Sequence, residues 1–140
     1  MTPDTAAVSL VAATWLHAGF QLVVTLVVYP AFPEVRAEDW RRHHGAHSRR
    51  ITPVVVLVYG LVVATCAWTV ARGLSDVVTV LAVASSGVTL LVTGMLAGPA
   101  HRRLTTERTT GNLAALRWSD RVRCTTASIS AVAAGWALMT

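Results

Sequence analysis

Hydrophobic positions in this chain run in long, nearly unbroken stretches. Three of them contain the roughly 20 apolar residues that a helix needs to cross about 30 Å of hydrocarbon: Ala6–Val28, Ile51–Val70 and Val77–Leu96. Thr125–Met139 is shorter and rich in Ser and Thr, and extending it backwards gives a fourth span of about 121–139. The pattern predicts an all-α fold, an integral-membrane antiparallel four-helix bundle that forms a single domain over residues 1–140.

Prolines and polar residues mark the predicted helix ends. Pro30 and Gly98-Pro99 should end the first and third helices, because proline lacks an N–H donor and disfavours helix in the preceding residue. Arg72-Gly73 should end the second helix, and either Ser75 or Asp76 should cap the third. The hydrophilic segment Glu34–Ser48 predicts a separate helix ahead of the second span.

A faint internal repeat accompanies these ends. Pro30-Ala31 and Pro99-Ala100 follow the first and third spans, and a basic segment containing a tryptophan comes after each. Two hairpin repeats would place the first and third helices in equivalent positions, as in other repeat-built membrane proteins.

Composition supports the membrane interpretation. Of 140 residues, 54% are hydrophobic and 14% are charged, whereas soluble domains carry about 25% charged residues. This balance excludes a soluble enzyme, a disordered tail and a disulfide scaffold. The net charge of +5 comes from arginines in short islands between apolar runs. A nucleic-acid-binding protein would instead carry them on a soluble module, so nucleic acid is not an expected partner.

The distribution of arginine predicts the orientation. Of the 12 arginines, 11 lie in the segments that follow the first and third spans, and only Arg72 lies in the second loop. Cytoplasmic loops are enriched in Lys and Arg. We therefore expect a multi-pass plasma-membrane protein with both termini outside.

One ionisable residue, His17, falls midway along the first predicted span. Thr14, His17, Gln21 and Thr25 follow one another at spacings of three or four residues and share one helix face. Tyr59 on the second span falls at nearly the same depth as His17. Ionisable groups at the bilayer centre are costly and usually face a cavity or the bundle interior. A neutral imidazole there could act as a general base.

The alternative is that these groups only hold helices together. Ser and Thr stripes, such as the one containing Ser86, are ordinary packing elements in membrane helices. Small residues on all four spans would allow the backbones to approach closely. They are Gly19, Gly60, Gly87, Gly94 and Gly135.

Histidines between the spans offer a different kind of site. His43 and His47 have the four-residue spacing of metal ligands on a helix, and His101 lies in the other arginine-rich segment. A cytoplasmic-side metal or haem site is therefore an alternative hypothesis, although the flanking arginines oppose a cation. No Asp or Glu falls inside a predicted span, which disfavours a small multidrug antiporter.

The layout resembles the anthrone oxygenase-like family of small four-helix membrane proteins. The resemblance rests on a glycine-containing first helix that leads to Pro30, on Pro53 near the start of the second helix, and on Pro99 at the end of the third. A leucine-rich segment then leads to Trp118 and Arg123. Asp120 lies between these two, where the family pattern more often has Asn.

The resemblance implies oxidation of an anthrone to an anthraquinone with dioxygen and no cofactor. His17 would be the base, Gln21 would orient it, and Tyr59 or Ser86 would hydrogen-bond the substrate carbonyl. Trp118 and Arg123 would either contact the substrate or lock the cytoplasmic end of the bundle. The expected substrate-binding positions are Thr14, Thr25, Ser86, Trp118 and Arg123.

Two functional classes therefore stand beside the metal alternative. The first is an enzyme that acts on a lipophilic aromatic or isoprenoid molecule in an intramembrane pocket. The second is a non-enzymatic scaffold, assembly or ligand-binding subunit. The expected partners are the lipid bilayer and a lipophilic small molecule, and a homodimer would help to shield a bulky ligand.

Overall fold

The computed structural model describes residues 4–73 and 76–140 and consists of four long helical rods. The rods are α1 (Thr5–Glu34), α2 (Ala37–Ala71), α3 (Val77–Thr106) and α4 (Thr110–Met139). No strand occurs in the described ranges, so the predicted all-α class is confirmed. Within the same ranges, α1, α2 and α3 are long and apolar enough to cross a membrane.

Polar side chains cap three of the four rods at their N-termini. Asp4 accepts a hydrogen bond from the Ala6 amide at 3.2 Å, and Asp76 accepts one from the Thr79 amide at 2.7 Å. Thr109 caps α4 in the same way. The capping prediction is thus confirmed at Asp76, whereas Ser75 lies outside the described residues. The second helix ends as predicted, at Ala71, and Gly73 follows with a φ of +90°.

The prediction that Pro30 and Pro99 end their helices is wrong. In α1 a π-helical turn, Val24–Val28, precedes Pro30, and the rod continues to Glu34. In α3 a second π-helical turn, Thr93–Ala97, precedes Pro99. A proline ring clashes with the carbonyl four residues earlier, and the wider π turn accommodates it without stopping the rod.

The two π turns stand in the same relation to their prolines. Each ends two residues before the proline, and each proline opens the following α-helical turn. The faint repeat in the sequence therefore has a local structural counterpart in α1 and α3.

The second rod is longer than predicted. Its α-helical part, Trp40–Ala71, runs through Pro53 without a break, so the separate helix expected over Glu34–Ser48 is largely the start of this rod. The predicted fourth span likewise begins inside a longer helix, Thr110–Met139.

Alanines, not glycines, make the closest helix contacts. The pair α3 and α4 packs most extensively, followed by α1 with α4 and α1 with α2. Ala18 on α1 packs against Ala127 and Ala131 on α4, all buried. By contrast, a Cβ added at Gly19 or Gly60 would meet nothing within 4 Å in the described structure. The same holds for Gly87 and Gly94.

The expectation that these four glycines allow close approach is therefore wrong. Each helix is rotated about its axis so that these glycines face away from the neighbouring helices. Gly135 differs from them, because a Cβ there would lie 3.5 Å from Nε1 of Trp15.

Replacing Ala127 by Leu should destabilise the protein by about 1–3 kcal/mol, because the added atoms have no space between α1 and α4. Unfolding in mild detergent would measure the change. Ala67→Leu, at an exposed position on α2, is the matched control and should have little effect. Equal stability of the two variants would show that α1 and α4 do not pack in this way.

Candidate functional site

Seven buried or half-buried polar side chains form one continuous hydrogen-bonded chain that touches all four rods. We call it the buried polar chain. In order of contact it comprises Tyr59, Gln21, Asp120, Arg123, Tyr29, His101 and His44.

The first part of the chain joins α2, α1 and α4. The Tyr59 hydroxyl donates to Oε1 of Gln21 at 3.3 Å, and Nε2 of Gln21 donates to Oδ1 of Asp120 at 3.4 Å. Thr93 on α3 donates to the Tyr59 hydroxyl at 3.1 Å. Gln21 and Tyr59, two of the three predicted catalytic residues, are therefore in contact.

The centre of the chain is an ion pair. Nη2 of Arg123 lies 3.0 Å from Oδ1 of Asp120, three residues earlier on α4, and the side chains are only 7% and 3% exposed. Charges buried this deeply need further hydrogen bonds to offset their desolvation. Gln21 supplies one to the carboxylate, and the hydroxyl of Tyr29 accepts one from Arg123 at 3.2 Å.

The last part of the chain runs from Tyr29 on α1 through His101 on α3 to His44 on α2. Tyr29 Oη lies 2.9 Å from Nε2 of His101, and Nδ1 of His101 lies 3.3 Å from Nε2 of His44. Because a guanidinium can only donate, Tyr29 accepts from Arg123, and its own hydrogen is available to Nε2 of His101. The donor and acceptor roles of the two histidine rings depend on their tautomers. With the His101 proton on Nδ1, Tyr29 donates to His101 and His101 donates to His44, whose ring stacks on Trp40.

A cavity of about 260 Å³ lies beside this chain. Such a volume is close to the lower end of small-molecule sites, which begin at about 300 Å³. Its apolar wall comes from Phe20 and Val24 on α1, Ile51 and Val55 on α2, and Ala97 on α3. Its polar groups include Gln21, Tyr29, Thr93, His101 and Arg123.

His17 does not line this cavity. Its ring is 1% exposed and meets the edge of the Tyr59 ring with 4.6 Å between centroids. Its Nε2 is buried and has no hydrogen-bond partner among the described residues. The expected general base is therefore buried, as predicted, but it is not among the residues that line the described cavity.

The predicted substrate-binding residues divide into three groups: those at the cavity or the polar chain, those bonded within or between helices, and Trp118. Arg123 lines the cavity, and half-buried Thr25 lies near Asp120 on the polar chain. Thr14 donates to its own helix at Leu10 O, and Ser86 bonds to Ser130 across α3 and α4. These two hydroxyls therefore serve helix structure.

Trp118 lies away from the cavity, and its contact with substrate stays a prediction. Its side chain is 60% exposed, because it projects from the opposite side of α4 to Asp120 and Arg123. It instead borders a shallow depression next to Met95 and Leu96 on α3.

The histidines of the metal alternative do not converge. Within residues 4–73 and 76–140, no group of three His, Cys, Asp or Glu side chains could hold a metal ion. His43 is exposed, and His47 stacks on His101 with 6.2 Å between centroids. His101 instead bonds with Tyr29 and with His44.

Three members of the polar chain were not predicted as site residues. They are Tyr29, His44 and Asp120, and Asp120 lies just outside the predicted fourth span of about 121–139. The exclusion of carboxylates from the spans therefore overlooked a carboxylate that is 2% exposed. The three-residue spacing of Asp120 and Arg123 was the available signal, since it places them on one helix face.

Comparison with known proteins gives no assignment. No protein-family model, curated protein or solved structure matches this chain.

Asp120→Asn should destabilise the protein by about 3–5 kcal/mol, because it leaves the buried guanidinium of Arg123 without its counter-charge. Asp39→Asn is the matched control: it removes an exposed pair with Arg42 at the same i,i+3 spacing and should cost less than about 1 kcal/mol. Denaturant unfolding in detergent would measure both. The double variant Asp120→Asn/Arg123→Met should recover part of the loss, and no recovery would contradict the pairing.

Proposed function

We propose that this protein is a multi-pass integral membrane protein whose four rods form an antiparallel bundle. Three rods long and apolar enough to cross a bilayer support insertion. The cross-helix pairs Ser86–Ser130 and Thr89–Thr126 support opposite directions for α3 and α4, because the residue number rises on one rod as it falls on the other. The arginine islands favour a plasma-membrane orientation with both termini outside.

Single-cysteine labelling should test this orientation. In a background with Cys66 and Cys124 replaced by Ser, Thr140→Cys should react with a membrane-impermeant maleimide on intact cells. Arg103→Cys should react only after permeabilisation. The reverse pattern would contradict the orientation, and labelling of both positions on intact cells would contradict insertion.

We further propose that the cavity binds a lipophilic molecule carrying a carbonyl or phenolic oxygen, and that the protein acts on it as a cofactor-independent oxygenase. One observation carries this proposal: apolar side chains and Arg123, Tyr29 and His101 line the same small cavity. A flat apolar ligand would pack against the apolar wall. Its oxygen would lie near Arg123, whose positive charge stabilises a developing enolate.

The contact of 2.9 Å between Tyr29 Oη and Nε2 of His101 supports His101, through Tyr29, as the base in place of His17. The substrate proton would pass to Tyr29 Oη while the Tyr29 proton moves to Nε2 of His101. The imidazolium so formed keeps its Nδ1–H bond to His44. General bases of this kind act within hydrogen-bond reach of the proton that they remove.

For an anthrone-like substrate, dioxygen is the only co-reactant that the oxidation needs. The enolate carbon forms a bond with dioxygen, and the resulting hydroperoxide loses water to give the quinone. One dioxygen is consumed and one water is released, and no other reductant or oxidant is needed. This chemistry is the one expected from the resemblance to anthrone oxygenase-like proteins.

A non-enzymatic role is the second candidate. It is favoured by the hydroxyl pairs between α3 and α4 and by the internally bonded polar chain, both of which stabilise helix packing. A ligand-binding or assembly subunit would need the cavity but not the proton path. Turnover measurements separate the two.

Purified protein in lipid nanodiscs should convert anthrone to anthraquinone, followed by oxygen uptake and product absorbance. Tyr29→Phe and His101→Gln should each reduce turnover by about 100-fold to 10,000-fold, because the proton path is cut. His43→Gln, an exposed histidine on α2, is the control and should retain activity.

Loss of turnover in His17→Gln with full activity in His101→Gln would place the base at the centre of the bundle instead. Absence of turnover in the wild-type protein, together with saturable anthrone binding, would favour the non-enzymatic candidate.

A further inference from the structure

A second concave surface lies between α1 and α2 and has a different character from the cavity. We call it the α1–α2 groove. It has a volume of about 410 Å³. Its apolar part includes Val23, Val28 and Val54, and its polar end is formed by His43, His47 and Arg50.

The apolar part of the groove is open on its outer side. Val23 is 54% exposed and Val54 is 44% exposed. They continue a band of exposed apolar side chains along α1 and α2, including Leu26, Val27 and Leu57. A groove that joins an apolar band to a basic end suits a molecule with a hydrocarbon chain and an acidic head.

Arg50 is available to such a head group. Two other arginines of the basic segment are engaged, since Arg36 pairs with Glu38 and Arg42 pairs with Asp39. No carboxylate in the described ranges lies within ion-pair distance of exposed Arg50, so its charge is not balanced by the protein.

His47 adds a second polar atom at the same end. Its ring packs at 5.1 Å from the Phe32 ring and stacks on His101. Its Nε2 is buried and has no hydrogen-bond partner in residues 4–73 and 76–140. A buried ring nitrogen without a partner costs free energy, and a rotation of the His47 ring that exposes Nε2 to the groove would let it donate to a phosphate oxygen.

The π turn of α1 lies along the same groove. Val24–Val28 forms this turn, and both of its end residues contribute to the groove wall. π turns inside α-helices occur frequently at functional sites. Here the turn widens α1 where an acyl chain would lie.

We propose that the α1–α2 groove is a binding site for one anionic phospholipid. Its phosphate contacts Arg50 and His47, and an acyl chain lies along Val23 and Val54. Guanidinium groups are well suited to phosphate, and basic pockets next to membrane helices bind acidic head groups. The inference rests on membrane insertion as proposed above, but it does not depend on the oxygenase chemistry.

Native mass spectrometry of the detergent-solubilised protein tests the proposal with two lipids of equal chain length, dilauroyl phosphatidylglycerol and dilauroyl phosphatidylcholine. Wild-type protein should retain one phosphatidylglycerol in preference to phosphatidylcholine. Arg50→Gln should weaken this binding roughly tenfold, as expected for loss of a charged hydrogen bond. His47→Gln should weaken it less, and Val54→Trp should weaken it by filling the apolar part.

Arg117→Gln on α4 removes the same charge from an exposed position remote from the groove, and it should bind as the wild type does. An equal loss in Arg117→Gln would overturn the site in favour of diffuse attraction. Displacement of the lipid by inorganic phosphate would overturn the role of the acyl chain. A dimeric mass that excludes lipid would assign the groove to a second copy of the chain.

The cysteine-labelling experiment separates failure of this site from failure of insertion. A correctly oriented protein that binds both lipids equally would contradict the lipid site alone.

Discussion

The buried ion pair of Asp120 and Arg123 constrains the arrangement of polar side chains across the whole protein. Both groups lie on one face of α4, turned into the interior, where removing a charge from water costs several kcal/mol unless other bonds compensate. The pair itself leaves hydrogen-bonding capacity on both partners. Gln21 meets it on the carboxylate and Tyr29 on the guanidinium, so both act from α1. Tyr29 then bonds with His101 on α3, which reaches His44 on α2.

The prolines and their π turns determine where the buried polar chain borders the cavity. Tyr29 follows the first π turn directly, and His101 comes two residues after Pro99. The cavity lies between these two segments and the start of the apolar part of α2. Residues that were predicted to end helices therefore position Tyr29 and His101 beside the cavity. A straight α-helix through either segment would rotate the side chains that follow by a large fraction of a turn.

Two of the functional expectations depended on how a helix is rotated about its axis. In each, one residue of a pair lines the cavity and the other does not. His17 and Gln21 share a face of α1, as their spacing predicted, yet only Gln21 lines the cavity. The His17 ring instead packs against the Tyr59 ring, with 4.6 Å between the ring centroids. Trp118 and Arg123 stand five residues apart on α4, and their side chains face different sides of the helix. A sequence pattern gives relative directions within one helix, but it does not say which direction faces a neighbour.

The order of apolar, polar and proline residues along the chain was enough to predict four helices and their approximate places. It was also enough to predict a cap at either Ser75 or Asp76 for the third helix. These features depend on residues close together in the chain. The site depends on pairs such as Gln21 and Asp120, which are 99 residues apart, and Tyr29 and His101, which are 72 apart. Only tertiary packing brings such pairs together, because the rotation and depth of each helix depend on the alanine contacts and the buried charges that it meets.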